Sequence, residues 1–215
     1  SGNGQTVTMD VIANCNSMNW SAITKTVVLS GGWEVHIYGS LTLSTLLSVT
    51  TYTGPIYFES VNPGNTITSA GKTIAGNVYF NGNGGGWTLQ DAFNTANYIT
   101  LDFGTLTSNN NNITCYGFTS NNNNSRGFML GSSTVTVTYN SWNTGGSLFA
   151  LDAGTSLIKF TAASTNYYLS AGSTDAFYDV LFQHNSSPGN INGGSYFHNV
   201  TFSSVNGGSS ALNTS

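Results

Sequence analysis

Apolar and polar residues alternate over short stretches of the chain, and residues that favour turns separate those stretches. The alternation is sharp from residue 33 onward, where a predicted strand turns Trp33, Val35 and Ile37 to one side and polar side chains to the other. A period of two residues is typical of a β-strand that buries one face. The pattern therefore predicts an all-β protein built from many short strands.

One short pattern, an aliphatic residue followed by a spacer and a phenylalanine, recurs at intervals of about 20 residues. Occurrences lie at 56–58, 78–80, 180–182 and 200–202. The gap between 78–80 and 180–182 is about five such intervals long. The recurrence therefore predicts a single-domain parallel β-helix, or β-solenoid, of about ten turns with roughly 20 residues each. We expect its core to align the inward phenylalanines Phe58, Phe80, Phe182 and Phe202.

Glycine followed by a hydroxyl residue marks several predicted corners of the coil, and the polar run Thr-Ser-Asn-Asn-Asn-Asn at 107–112 recurs twelve residues later. Glycine and asparagine tolerate the positive φ that tight turns require. Alignment of the corner glycines Gly131 and Gly154 places Val135 over Ile158, with both side chains directed inward. Two independent periodicities therefore favour the solenoid.

The predicted solenoid covers residues 33–206. Residues 1–32 are less regular and are interpreted as irregular N-terminal turns or a cap, and residues 207–215 as a polar tail. Neither end carries an obvious capping helix, although solenoids normally need their end turns covered. We therefore expect a piece of a longer protein or a subunit that its neighbour caps.

Charged residues make up 6% of the chain, and its net charge is −4. Its basic residues, Lys25, Lys72, Arg126 and Lys159, are scattered, so they cannot neutralise a run of phosphates. We expect no nucleic-acid partner. Membrane insertion is not expected either, because no apolar run approaches the ~20 residues of a membrane span. The hydrophobic content of 39% favours a folded chain over a disordered one.

The two cysteines, Cys15 and Cys115, are candidates for a disulfide that ties the first turns to the middle of the chain. In the alternative interpretation, Cys115 alternates with Ile113 and fills the core as a small hydrophobic residue. Neither cysteine has the spacing of a zinc ligand.

The best catalytic candidates are Glu34, His36 and Tyr38, which share the polar side of one predicted strand. A carboxylate, an imidazole and a phenol close together can transfer protons. The alternative is an ordinary solvated strand face. Asp102 and Asp152 share the context Leu-Asp-x-Gly-Thr and are expected at the same corner of different turns, where each closes a turn.

Tyrosines supply the candidate ligand-binding residues. Tyr57 and Tyr79 occupy the same position of neighbouring turns, so we expect them to stack on the outer surface with Tyr38 in line before them. Such a strip could lie against sugar rings or against a protein partner, or it could reflect only the preference of tyrosine for strands.

Two further kinds of site are not expected. His184 and His198 flank turns without the spacing of a metal site, so we predict no metal and no cofactor. Thr-x-Thr tracts at 66–68, 105–107 and 134–138 raise the question of an ice-binding hydroxyl array. The corner alignment interrupts this array, because it places Thr136 opposite Lys159 and Thr134 opposite Leu157.

Residues 65–90, with 99–107 and 131–137 after them, resemble repeat units of large secreted or phage-associated bacterial proteins. Those proteins are mostly uncharacterised and are generally taken to be parallel β-helices. The likeness covers about two thirds of the chain, from about residue 39 onward. The resemblance implies an adhesin-like role in adhesion, surface display or receptor binding, and a location that is extracellular, on the cell surface or on a virion. It carries no catalytic motif.

The amino-acid sequence leaves three functions open. The first is a non-enzymatic adhesive or receptor-binding module of a bacterial surface protein or phage fibre, with a cell-surface glycan or protein as its partner. The second is a self-assembling filament or coat subunit that binds copies of itself, since an unpaired end turn invites strand addition. The third is a polysaccharide-degrading enzyme, for which the chain supplies few basic residues.

Overall fold

The protein is described by a computed structural model for residues 4–139, 141–161, 167–172, 174–184 and 189–204. It is all-β and forms a parallel β-solenoid of about 8 turns with about 22 residues per turn. The predicted fold class is confirmed, although the turns are fewer and slightly longer than expected. Because parallel strands lie about 4.8 Å apart, the stack of turns is roughly 38 Å long.

The strands form four parallel sheets, in which each strand pairs with the equivalent strand of the next turn. Sheet I contains β1 (Gln5–Met9), β4 (Val27–Gly31) and β7 (Leu47–Tyr52). Sheet II contains β2 (Ala13–Cys15), β5 (Val35–Ile37), β8 (Ile56–Phe58), β11 (Val78–Phe80), β14 (Tyr98–Leu101), β17 (Gly117–Asn121), β20 (Ser141–Gly145), β23 (Tyr167–Ser170) and β25 (Gly189–Asn192).

The other two sheets have seven strands each. Sheet III contains β3 (Met18–Asn19), β6 (Leu41–Thr42), β9 (Asn65–Thr68), β12 (Gly86–Leu89), β15 (Gly104–Thr107), β18 (Arg126–Met129) and β21 (Phe149–Asp152). Sheet IV contains β10 (Thr73–Ile74), β13 (Phe93–Thr95), β16 (Ile113–Cys115), β19 (Thr134–Val137), β22 (Leu157–Phe160), β24 (Ala176–His184) and β26 (Tyr196–Ser204).

The four phenylalanines that the sequence pattern predicts in one line stack in two ladders on different sheets. In sheet II, Phe58 stacks on Phe80 with ring centroids 5.0 Å apart. In sheet IV, Phe182 lies between Phe160 and Phe202, at 4.8 and 5.0 Å. The expectation of one continuous line of phenylalanines is therefore wrong. The aliphatic-x-Phe pattern marks any strand that buries alternate residues, so it does not identify the sheet to which the strand belongs.

Corner glycines are stacked as the sequence alignment predicted. Gly154 has a φ of +52°, and a methyl group on it would collide with the carbonyl of Gly131 one turn away. In the strands that follow, Val135 pairs with Ile158 across neighbouring turns, and both are buried. The alignment of these two turns is thus confirmed, together with the inward direction of the side chains.

The repeated Thr-Ser-Asn-Asn-Asn-Asn run marks two different corners of the coil. Ser108 follows β15 of sheet III and donates a hydrogen bond to the carbonyl of Leu130 at 2.7 Å. Ser120 lies in β17 of sheet II and donates to the carbonyl of Leu101 at 2.8 Å. Both serines are fully buried. The twelve-residue recurrence therefore reflects a shared corner chemistry, and it is shorter than the period of the coil.

The structure corrects the prediction that Trp33 points inward with Val35 and Ile37. Trp33 is 53% exposed, while Val35 and Ile37 are buried. Because β5 begins only at Val35, Trp33 lies in the preceding bend, where strand alternation does not determine its direction.

The proposed disulfide is also wrong, because both cysteines are free. Cys15 lies in β2 at the first turn of sheet II, and Cys115 lies in β16 of sheet IV. Several turns of about 4.8 Å separate them, whereas a disulfide needs Cα atoms within roughly 7 Å. Cys115 is fully buried and packs in the core, as the alternative interpretation has it.

Strands of the first 32 residues belong to the same stack as later strands, since β1 pairs in parallel with β4 and β4 with β7. The boundary at residue 32 stays a prediction, and the proposed tail at 207–215 lies outside the described residues. Over the described part of the chain, no helix has the length and apolarity needed to cross a membrane.

Replacement of Phe182 by alanine tests the phenylalanine ladder of sheet IV. Phe182 is fully buried between two stacked rings, so Phe182→Ala should lower the free energy of unfolding by about 3–5 kcal/mol. The outward neighbour Leu181 is a matched control, and Leu181→Ala should cost about 1 kcal/mol or less. Urea denaturation measures both losses, and equal losses would contradict the inward ladder.

Candidate functional site

The most chemically varied surface is the outer face of sheet II near its first turns. Inward positions of β5 and β8 are apolar, so the residues between them face outward. The strand register places His36 directly beside Tyr57, and Tyr57 directly beside Tyr79. We call His36, Tyr57 and Tyr79 the ring column.

The three rings of the column are stacked almost in parallel. The centroids of His36 and Tyr57 lie 4.7 Å apart with an interplanar angle of 7°, and those of Tyr57 and Tyr79 lie 4.6 Å apart at 9°. These separations match the spacing of neighbouring strands. The stacking of Tyr57 on Tyr79 was predicted from their positions, and it is confirmed.

Parallel stacking determines which part of each ring a partner can reach. Both faces of Tyr57 are covered, by His36 on one side and by Tyr79 on the other. Tyr57 therefore presents its ring edge and hydroxyl to the outside. Flat contact between its face and a sugar ring, as the sequence suggested, is not possible in this arrangement.

Tyr38 is not part of the ring column. Because Ile37 pairs with Phe58, the next residue, Tyr38, lies beside Glu59 and one column away from Tyr57. A hydrogen bond with Glu59 and the charge of that carboxylate raise the pKa of the Tyr38 phenol. The expectation that Tyr38 stands in line with the other tyrosines is wrong, and His36 takes that place.

His36 is held between two carboxylates. Its Nδ1 lies 2.9 Å from Oε2 of Glu59, and its Nε2 lies 3.0 Å from Oε2 of Glu34. An imidazolium can donate from both nitrogens, whereas a neutral ring would direct one lone pair at a carboxylate. Burial by itself would lower the pKa of His36, but the hydrogen bonds to Glu59 and Glu34 outweigh it and raise the pKa.

The structure thus brings together Glu34, His36 and Tyr38 and adds Glu59, which the sequence analysis did not assign to this group. Glu59 lies on the neighbouring strand and is joined to the others only by strand register. A signal for it exists in the sequence. Alignment of Val35-His36-Ile37 with Ile56-Tyr57-Phe58 places Glu59 beside Tyr38.

A second histidine cluster lies on sheet IV. The rings of His198 and Tyr178 stack with centroids 4.2 Å apart, and Nδ1 of His198 lies 3.0 Å from Oδ1 of Asp179. Asn199 donates to the same oxygen at 2.8 Å. These hydrogen bonds lower the pKa of Asp179. The cluster combines one carboxylate with one imidazole, and the part of the chain that the structure describes contains no metal-binding group of three such residues.

Asp102 and Asp152 do not share a corner, which corrects the sequence prediction. Asp102 follows β14 of sheet II and accepts a hydrogen bond from the side-chain amide of Asn122 at 3.0 Å. Asp152 ends β21 of sheet III and accepts one from the backbone N–H of Gly154 at 3.2 Å, which closes a turn. The shared five-residue context Leu-Asp-x-Gly-Thr therefore describes local turn chemistry at two different corners.

The buried cation Arg126 has a structural role. Its guanidinium donates to backbone carbonyls of Ser120, Asn124, Gly145 and Ser147 and to the hydroxyl of Ser120. Carbonyl and hydroxyl acceptors thus surround the group, and its side chain also lies over the ring of Phe149. Arg126 joins neighbouring turns at a corner of the coil.

Comparison with known proteins finds no match. No family model, no curated protein and no solved structure is similar to the chain. The resemblance to repeat units of secreted or phage-associated bacterial proteins therefore stays a prediction.

Replacement of His36 by glutamine tests the double hydrogen bond. The folded-state pKa of His36 is raised above its ordinary value of 6.5, so the stabilisation is fully present below about pH 6.5 and is lost as the pH rises through the folded-state pKa. His36→Gln should cost roughly 1–2 kcal/mol at pH 6 and less at pH 9.

Urea denaturation at both pH values measures this difference, and an NMR titration of the imidazole gives its pKa directly. Asn14→Gln, at the neighbouring outward position of sheet II, is the control and should show no such pH dependence. An imidazole that titrates below 6.5 would contradict the proposed pairing.

Proposed function

We propose that the protein is a non-enzymatic binding module that contacts its partner through the outer face of sheet II. The observation that carries this proposal is the ring column with its two carboxylates, a fixed group of polar and aromatic side chains on a flat surface. A rigid group of this kind costs little entropy to order when a partner binds. The partner in this proposal is a cell-surface glycan or protein, and the module belongs to an extracellular, cell-surface or virion structure.

Hydrogen bonding within the group favours binding over catalysis. Both nitrogens of His36 face carboxylates, so neither is directed at an external proton donor or acceptor. A general base must reach the proton that it removes. The same groups are suited to polar contacts with a partner, because Asn77 donates a hydrogen bond to the Tyr79 hydroxyl and Tyr57 stacks on the imidazole that two carboxylates hold.

The double variant Tyr57→Ala/Tyr79→Ala tests the binding face. It should reduce binding to the recognised glycan at least tenfold, since the loss of contact with two ring edges and their hydroxyls is worth more than about 1.4 kcal/mol. A glycan array identifies the ligand, and biolayer interferometry compares the affinities. Tyr178→Ala removes a stacked ring from sheet IV and is the matched control. Equal binding by the wild type and the double variant would contradict the proposal.

A second candidate function, assembly into filaments, is favoured by the first described turn. Val7 is paired with the buried Leu29 and so occupies a core position, yet it is 38% exposed. Val11 and Ile12 are exposed by 64% and 49%. A further turn stacked on this end would cover these side chains, and in this candidate function that turn belongs to another copy.

Electron microscopy of the purified protein tests assembly. Head-to-tail stacking should give filaments of variable length, and Val11→Lys should shorten them because it adds a charge to the contact. Isolated rods of one fixed length in both preparations would contradict this second function. Such rods leave the first proposal unaffected, because the ring column lies on the side of the coil.

A further inference from the structure

The outer face of sheet III carries threonines in register. Thr66, Thr88 and Thr107 occupy one outward column across three consecutive strands. Thr68 follows Thr66 on the same face and pairs with Thr42 of the preceding turn. Thr105 precedes Thr107 on the same face and pairs with Gly86 of the preceding turn. We call this group the threonine face: Thr42, Thr66, Thr68, Thr88, Thr105 and Thr107.

Strand register brings these residues together although their tracts are far apart in sequence. The Thr-x-Thr tract at 134–138 lies on sheet IV, where Thr136 pairs with Lys159 and Thr134 with Leu157. The predicted interruption is therefore confirmed for that tract. It does not apply to the tracts at 66–68 and 105–107, because Thr88 lies between them in the same column.

The hydroxyl groups of the threonine face are unpaired in the part of the chain that the structure describes. Within the described residues, none of the six side chains donates or accepts a hydrogen bond, although all are partly accessible. A hydroxyl group in water donates one hydrogen bond and accepts up to two. These groups are therefore available to an external partner that both donates and accepts.

The threonine face is rigid. The inward residues that alternate with the threonines, Ile67, Leu89 and Leu106, are fully buried. Threonine itself has few accessible χ1 rotamers, because it is branched at Cβ. The hydroxyl and methyl groups are thus held at a spacing of about 4.8 Å between strands and about 6.6 Å along a strand.

The chemistry of the face selects among possible partners. Its residues are uncharged, which gives no attraction for a nucleic acid or a charged peptide. They also lack the Trp, Tyr and Arg anchors that dominate protein interfaces. A two-dimensional lattice of water molecules matches it better, because such a lattice presents donors and acceptors at fixed, short intervals.

We propose that the threonine face binds the ordered water of an ice surface. The hydroxyls join the outermost water layer as donors and acceptors, and the methyl groups occupy the gaps between water molecules. Adsorbed protein then restricts the growth of the ice front to the curved surface between bound molecules, which lowers the freezing point below the melting point. This activity is independent of the binding face on sheet II.

The test measures the gap between freezing and melting temperatures and the shape of single ice crystals in purified protein. Wild-type protein should open a gap and facet the crystals. Thr88→Tyr places a bulky ring in the middle of the column and should abolish both effects. Thr136→Tyr introduces the same ring on sheet IV, beside Lys159, and should leave both unchanged.

Circular dichroism and urea denaturation first establish that both variants are folded. Thr88→Ser is a second variant for the case in which Thr88→Tyr fails to fold, and it should weaken the effect because it keeps the hydroxyl and removes the methyl. Unshaped ice in concentrated wild-type protein would overturn the proposal, as would equal activity of wild type and a folded Thr88→Tyr. Binding to crystalline cellulose or chitin without any effect on ice would also overturn it.

Discussion

Each strand of the solenoid hydrogen-bonds to the strands one turn before and one turn after it, and this parallel register determines which side chains are neighbours. At a spacing of about 4.8 Å, identical or similar side chains in one column are in contact along the axis. Phe58 and Phe80 stack for this reason inside the coil, and Tyr57 and Tyr79 stack for the same reason outside it. A shift of one residue in any turn would exchange the inner and outer faces of that turn.

The same constraint lets side chains at the corners satisfy backbone carbonyls of neighbouring turns, although the chain has few charges. Corners are the places where backbone groups leave the sheets, and buried serines such as Ser108 and Ser120 bond to carbonyls of adjoining turns there. Arg126 performs the same task with one buried cation. An unsatisfied buried polar group is costly, so these corners are as important to the fold as the apolar core.

The outer faces differ although they share one backbone geometry. Sheet II presents rings and carboxylates near its first turns, whereas sheet III presents uncharged threonines. The ring column is satisfied internally, because its rings cover one another and its imidazole is paired with two carboxylates. Among the residues that the structure describes, the hydroxyls of the threonine face have no such internal partners, which gives the two faces different chemistry toward the outside.

Local pattern determined much of this protein. The alternation of apolar and polar residues predicted the strands, and the recurrence near 20 residues predicted the solenoid. Inward residues such as Val135 and Ile158 were also predicted, because the direction of a side chain in a strand depends on near neighbours in the sequence. Long-range assignments were different. They depend on the exact number of residues in every intervening corner. That number decides which sheet holds a given phenylalanine and how far apart Cys15 and Cys115 lie. It also decides whether Glu59 reaches His36 and whether Thr88 completes a column. Only the tertiary structure shows the combined effect of all corner lengths on which residues become neighbours, and it therefore decided the candidate sites.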